Sequence, residues 1–378
     1  MGHQYINNGY HIVLDVNSGA IHVVDEVVYD VIPLFEKHSS EEITGLLREK
    51  YSEEEIREAV EEVSQLKKEG SLFTPDTYEA PLIDFKKRPT VVKALCLHIA
   101  HDCNLACRYC FAEEGEYHGR RALMSYETGK AALDFLIANS GSRRNLEVDF
   151  FGGEPLMNFE VVKQLVAYGR EQEKLHDKHF RFTLTTNGVL LNDDIMEFAN
   201  REMDNVVLSI DGRKEVHDHM RPFRKGAGSY DLIVPKFQKF AKSRNQEKYY
   251  VRGTYTHFNT DFSKDVLHLA DLGFKQISVE PVVAEETDDY AIKEEDLPVL
   301  FKEYDDLAAE MVRRNKAGNG FNFFHFMIDL EGGPCVYKRL SGCGSGTEYL
   351  AVTPWGDFYP CHQFVGNEKF LLGNVDEG

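Results

Sequence analysis

The hydrophobic rhythm of this chain changes twice near its start. Apolar and polar positions alternate through Tyr10–Val16 and again through Ala20–Val24, with the turn Asn17-Ser18-Gly19 between them, which predicts a β-hairpin. Near Asp25 the rhythm lengthens to that of a helix, and three helices are expected. The second begins near Ser40 and sets Ile43, Leu46 and Leu47 on one face. The third opens on a capping box, Ser52-Glu53-Glu54-Glu55, repeats apolar residues at Ile56, Val60, Val63 and Leu66, and stops near Gly70. Residues 1–74 therefore read as one small domain.

Pro75, Pro81 and Pro89 lie among charged residues in 75–92, as in a linker. Beyond it, strand-like and helix-like stretches alternate. The expected strands are Val91–Ala100, Leu146–Phe151, Phe180–Thr186, Asn205–Ile210, Tyr249–Thr256 and Phe274–Pro281, each followed by a helix-compatible segment. That order implies parallel strands joined by crossover helices, an α/β fold over residues 93–315. Neither an internal repeat nor a low-complexity tract interrupts it.

Composition narrows the class. The chain has 378 residues, 42% hydrophobic and 28% charged, as in a globular protein with a substantial core. It shows no apolar run of membrane-spanning length and no signal peptide, so no membrane partner and a cytoplasmic location are expected. A net charge of −20 argues against nucleic acid as a partner. Arg143-Arg144 and Lys86-Lys87-Arg88 read as solvated surface, and the acidic third helix would repel phosphate if the first domain were a DNA-binding winged helix.

Chemistry concentrates in Cys103, Cys107 and Cys110, a C-x3-C-x2-C triad just past the first of the six strands. Zinc would want a fourth ligand at finger-like spacing, and His98, His101 and His118 do not supply one. A cubane iron–sulfur cluster usually takes four cysteines, so three leave one iron open. This spacing resembles the radical S-adenosylmethionine (SAM) superfamily, in which SAM occupies that iron and is cleaved reductively to a 5′-deoxyadenosyl radical. The resemblance implies an open, partial (β/α)6 TIM-like barrel with a [4Fe-4S] cluster and SAM as cofactors, and a low-potential electron donor as partner.

The same resemblance assigns the remaining cofactor contacts. Gly152-Gly153-Glu154-Pro155, after the second strand, looks like the family's GGEP element, whose backbone and carboxylate take the SAM amino group. Tyr109 holds the aromatic position expected beside adenine, and Phe111 adds an apolar wall or simply packs. Asn187 and Ser209 end the next two strands and offer amide and hydroxyl contacts; Arg221 and Arg252 are candidate partners for the SAM carboxylate. Cys96, inside the first strand, reads as a buried small hydrophobe.

Residues 316–378 resemble the start of a SPASM domain, which holds auxiliary iron–sulfur clusters. Cys343 and Cys361 fit C-x12-G-x4-C through Gly356, and Cys335 is placed to be a further ligand. The downstream C-x2-C-x5-C-x3-C run of that family is absent, and the region reads as truncated. The first 74 residues resemble the winged-helix precursor-recognition domain of enzymes that modify ribosomally made peptides, which implies a precursor peptide whose leader adds a strand to a sheet edge. Over Ala94–Met157 the chain is most similar to the thioether-forming maturases of SCIFF peptides. That implies an intramolecular bond between a cysteine sulfur and a carbon of the same peptide. The alternatives are carbon–carbon crosslinking, formylglycine formation, or an iron–sulfur protein that carries electrons without cleaving SAM.

Overall fold

The computed structural model describes residues 2–76, 90–117, 119–327 and 342–377. Cys335, His118 and most of the expected linker lie outside the described residues. Two compact units are present, the first built by residues 2–76 and the second by 90–326 with 343–377.

In the first unit, β1 (Gly2–Asn7), β2 (Tyr10–Asp15) and β3 (Ile21–Val24) form an antiparallel sheet in that order. The hairpin expected between β2 and β3 is there, and β1 is additional. Asn8-Gly9 makes the tight connection, with φ of 49° and 80°, the left-handed conformations a two-residue hairpin turn requires. Three helices follow: α1 (Glu26–Phe35), α2 (Ser40–Leu47) and α3 (Glu53–Lys68). Reciprocal capping boxes open α2 at Ser39/Glu42 and α3 at Ser52/Glu55. Val13, Val31, Ile43, Ile56 and Val63 are fully or nearly fully buried together, each contributing about 1.5–3 kcal/mol relative to exposure. Leu46 departs from expectation: α2 is only two turns long, Ile43 takes the core, and Leu46 is 57% exposed. Among the described residues β3 pairs only with β2, so its other edge is open.

The second unit is built on a parallel sheet. Its strands are β4 (Ala94–His101), β6 (Asn145–Gly152), β7 (His179–Thr186), β8 (Asn205–Ser209), β9 (Tyr249–Tyr255) and β10 (Gln276–Pro281), adjacent in chain order. A short β5 (Ala122–Leu123) pairs antiparallel with the end of β4. Helices α4 (Tyr126–Asn139), α5 (Phe159–His176), α6 (Asp193–Glu202), α7 (Lys214–Met220), α8 (Tyr230–Ser243), α9 (Ser263–Asp271) and α10 (Leu297–Lys316) fill the connections. Among the described residues the sheet continues beyond β10 only into β11 (Asn322–Phe323), and β4 and β10 are not paired: the barrel is open.

Alternation along the strands sorts the two faces. Leu95, Leu97, Phe150, Phe182, Leu208, Val251 and Val279 are buried on the helix-facing side, in one core with Leu133, Leu165, Phe237 and Phe240. The opposite, concave face receives the intervening residues, among them Cys96, Asp149, Thr185, Ser209, Arg252 and Glu280. Part of that interior is packed, Cys96 with Tyr117, Ala351 and Tyr359, and the rest leaves polar chemistry facing inward.

The last residues join this sheet. β12 (Tyr349–Val352) runs parallel to β4 on its free side, and β13 (Asp357–Tyr359) and β14 (Gly373–Asn374) add antiparallel strands beyond it. The chain thereby returns to the edge that carries the cysteine triad.

Candidate functional site

β4 delivers the triad loop, and a second loop holds it in place. Ala106 N donates to Pro222 O at 2.9 Å and Arg108 N to Met220 O at 2.9 Å, while buried Leu105 bridges to Phe223. The Arg224 guanidinium donates to Cys103 O at 2.8 Å and to Asp102 Oδ1 at 3.2 Å, and pairs with Glu114 at 3.0 Å. Cys103, Cys107 and Cys110 all line one cavity of about 390 Å³ at the C-terminal ends of the strands. Burial pushes the Cys103 thiol well above its ordinary range. Cys107 is pushed up to about 12 by burial, against the pull of the Arg221 charge.

These residues fit an iron–sulfur cluster. The cavity lining contains three cysteines and no fourth, and Cys103 Sγ accepts from Leu105 N at 3.5 Å and Asn187 Nδ2 at 3.6 Å. Among the described residues no three His, Cys, Asp or Glu side chains close on a single metal ion. Buried neutral thiols must lose protons to ligate, so cluster binding would release them.

Gly152 and Gly153 make the crossing of β6 over the triad loop possible. A Cβ on Gly152, at φ 118°, would fall 2.4 Å from Ala100 O, and one on Gly153 2.2 Å from Asp102 O. Both line the cavity. Gly115, not singled out in the sequence, completes the crossing, its own Cβ position being 2.9 Å from both Asp102 C and Gly153 Cα.

Glu154 sits behind this turn. Its carboxylate is fully buried and does not line the cavity. It accepts from Leu156 N at 3.0 Å, Thr186 Oγ1 at 2.8 Å and Asn187 N at 2.8 Å, fastening the end of β6 to the end of β7. Burial raises its pKa to about 7 despite these three donors. The GGEP turn thus offers the cavity its backbone, and the carboxylate shapes that backbone from behind.

The other cofactor candidates converge. Tyr109, Phe111, Asn187, Ser209, Arg221 and Arg252 all line the same cavity. Behind them lies Asp211, wholly buried and missed in the sequence reading. Its carboxylate accepts from Tyr109 OH at 2.7 and 2.8 Å, Arg221 Nε at 2.9 Å and Thr254 N at 3.0 Å. Burial opposes the Arg221 charge, but Asp211 more than offsets it and holds the guanidinium well above its ordinary pKa. Arg252 is paired differently, with Glu280 on the neighbouring strand.

The C-terminal turn supplies the far wall through His362 and Gln363. Burial depresses His362 to about 4, so it is neutral at pH 7; its Nδ1 lies 3.2 Å from Tyr349 OH and 3.6 Å from Cys361 Sγ. Ser345 Oγ and Gly346 N both hydrogen bond to Pro360 O, at 2.9 and 3.1 Å, which brings the Cys343 turn beside Cys361. The Cys361 thiol is raised chiefly by burial, with Cys343 adding to it. Cys96 is buried as expected, and its thiol also contacts the Tyr349 hydroxyl.

An open parallel barrel with a three-cysteine loop after its first strand and a diglycine turn after the next defines a radical SAM fold. Residues 97–272 match the family model described as the Radical SAM superfamily. The family implies a [4Fe-4S] cluster and SAM, for which the triad and the cavity are the fitting residues. A cysteine-type anaerobic sulfatase-maturating enzyme of Clostridium perfringens (strain 13) is 26% identical over 293 residues, 73% of this chain and 75% of that protein. The structure of native anSMEcpe with bound AdoMet and the Cp18Cys peptide covers 76% of this chain and 78% of its own at 21% identity and a TM-score of 0.61. Streptococcus suis SuiB bound to precursor peptide SuiA covers 98% of this chain and 84% of its own at 17% identity and a TM-score of 0.56. No described helix is long and apolar enough to cross a membrane.

Proposed function

We propose that this protein is a radical SAM maturase of a ribosomally made peptide and forms a thioether between a cysteine sulfur and a carbon of that peptide. The observation that carries the reading is one cavity that gathers the cysteine triad, the Gly152-Gly153 backbone, Arg221 and the His362-Gln363 turn. In it Cys103, Cys107 and Cys110 would hold the [4Fe-4S] cluster. When bound, the cluster with SAM supplies one-electron cleavage of the sulfonium and a radical able to take a hydrogen atom from the peptide.

The chain's own residues do the rest. Gly152 and Gly153 bring main-chain groups close to a ligand where a side chain would block it. Arg221 presents a fixed guanidinium, Tyr109 an anchored aromatic face, and Phe111, Phe151 and His362 exclude water. Forming the carbon–sulfur bond removes two hydrogens, one as the abstracted atom and one as a proton, so one electron is left over. Cys343 and Cys361, with Cys335, are the residues that would hold an auxiliary cluster to accept it.

The first unit supports a peptide substrate. Among the described residues its β3 edge is open, and residues 1–76 hold sixteen Asp and Glu against six Lys and Arg, which suits a basic leader added as a strand. SuiB, whose structure spans both units, was solved with its precursor. Similarity to a sulfatase-maturating enzyme supports a second reading, oxidation of a peptide cysteine to formylglycine.

The test is anaerobic incubation with SAM, a strong reductant and a cysteine-containing precursor peptide. A thioether leaves the product two hydrogens lighter with its sulfur retained, whereas formylglycine loses the sulfur. Replacing Cys103, Cys107 and Cys110 together with Ala should abolish 5′-deoxyadenosine production, and a triple variant that matched the parent rate would overturn the assignment.

A further inference from the structure

We propose that Asp211 is a positioning residue for SAM: its buried carboxylate locks the Tyr109 ring and the Arg221 guanidinium into one preformed face of the cavity. This rests on the radical SAM reading. It goes beyond that reading by assigning a role to a residue that the cavity itself does not expose.

The argument starts from the cost of putting Asp211 where it is. The side chain has no solvent exposure, and a carboxylate there is tolerable only if it is paired and hydrogen bonded. It is satisfied from three separate elements: the triad loop through Tyr109 OH, the loop after α7 through Arg221 Nε, and β9 through Thr254 N. Gly253 permits the last contact, because a Cβ there would stand 2.7 Å from Asp211 Cα and 2.5 Å from Ile210 O. His217 Nδ1 faces Asp211 N at 3.3 Å, and its Nε2 engages Ser229, whose hydroxyl returns to Arg221 O at 2.7 Å.

Both groups held by Asp211 line the cavity on their other side. The Arg221 guanidinium lies 5.3 Å from the centroid of the Tyr109 ring and also reaches the Cys107 sulfur. With Nε committed to Asp211, the fork has a fixed plane, which bidentate binding of a carboxylate requires. Tyr109 likewise has its ring plane fixed by a hydroxyl bonded to both Asp211 oxygens. A phenylalanine would give the same aromatic surface without that anchor. The hydroxyl, not aromaticity alone, is what this site uses.

The experiment compares anaerobically reconstituted full-length parent, Asp211→Asn, Tyr109→Phe and the double variant. Iron and sulfide content, the electron paramagnetic resonance spectrum of the reduced protein with and without SAM, and SAM affinity by equilibrium dialysis are measured. Asp211→Asn should keep the parent's iron and its reduced signal but bind SAM about 10–100-fold more weakly, the range for residues that orient a ligand-binding group. The spectral change caused by SAM should return only at proportionally higher SAM. Tyr109→Phe should weaken binding by a smaller factor, and the double variant should be no worse than Asp211→Asn alone.

SAM affinity within about twofold of the parent in an iron-loaded Asp211→Asn protein would overturn the proposal and leave the radical SAM reading standing. If Asp211→Asn fails to fold or load, Tyr109→Phe decides: parent-like SAM affinity there refutes it. A loaded parent that neither binds nor cleaves SAM removes the reading itself.

Discussion

Glu154 gives the sharpest physical test of the site's architecture. Its carboxyl is raised from an ordinary 4.5 to about 7, with burial outweighing the donors at Asn187, Thr186 and Leu156. Below pH 4.5 folded and unfolded chains both hold the proton. Between pH 4.5 and 7 the unfolded chain releases it and the folded chain does not, so stability falls as pH rises. Above 7 both are ionised and the loss is complete. Two and a half pKa steps correspond to about 3 kcal/mol. Other groups titrate over the same range, Asp149 at about 6 among them, so the informative quantity is a difference. The stability of the parent minus that of Glu154→Gln should fall by about 3 kcal/mol between pH 4.5 and 8. Trp355, the single tryptophan, lies in the barrel unit and reports its unfolding by fluorescence. Difference infrared spectra of the two proteins should show the protonated carboxyl band disappearing with a midpoint near 7. A difference flat with pH, or a midpoint below 5, would mean that the three donors win over burial and the reasoning is wrong.

Other predictions test separate parts of the molecule. Gly153→Ala forces a Cβ to 2.2 Å from Asp102 O; it should cost about 1–3 kcal/mol and lower triad iron loading, read by melting temperature and iron analysis. Gly45→Ala in α2, where nothing lies within 4 Å of the added carbon, should instead stabilise the first unit by about 0.5–1 kcal/mol in a denaturant titration. Deleting residues 1–74 should weaken binding of a basic leader and spare peptide-independent SAM cleavage, and calorimetry showing unchanged leader affinity would reject a recognition role. Replacing Cys343 and Cys361 with Ala should lower iron content and halt thioether formation while 5′-deoxyadenosine still appears. Full crosslinking by that folded variant would exclude the auxiliary role.

The six parallel strands were legible because each presents an unbroken apolar set to the helices at every second position, as in Leu146, Val148 and Phe150. Local rhythm alone identifies such elements. β1 was missed for the opposite reason: of Gly2–Asn7 only Tyr5 and Ile6 are strongly apolar, and both remain exposed. Its signal was the Asn8-Gly9 pair, whose left-handed turn dictates a hairpin whatever flanks it. β12 was missed because Tyr349–Val352 is short and its partner, β4, lies some 250 residues earlier in sequence. Long-range pairing of that kind leaves no periodic trace.

The candidate site divides along the same line. Cys103, Cys107, Cys110, Gly152 and Gly153 were readable because ligand spacing and close backbone approach are local properties. Asp211 was not, since one aspartate in a Ser-Ile-Asp-Gly turn looks like ordinary turn chemistry until Tyr109, Arg221 and Thr254 are seen to point at it. Glu154 shows another limit: its motif is local, but which way its carboxylate faces depends on donors at Thr186 and Asn187 more than thirty residues away. Residues that touch a ligand are thus constrained by its chemistry and recur as motifs. Residues that hold those contacts in place are constrained only by the fold around them, and the two buried acids behind this site, Glu154 and Asp211, both belong to the second kind. Each joins the ends of adjacent strands, β6 to β7 and β8 to β9, on either side of the cavity.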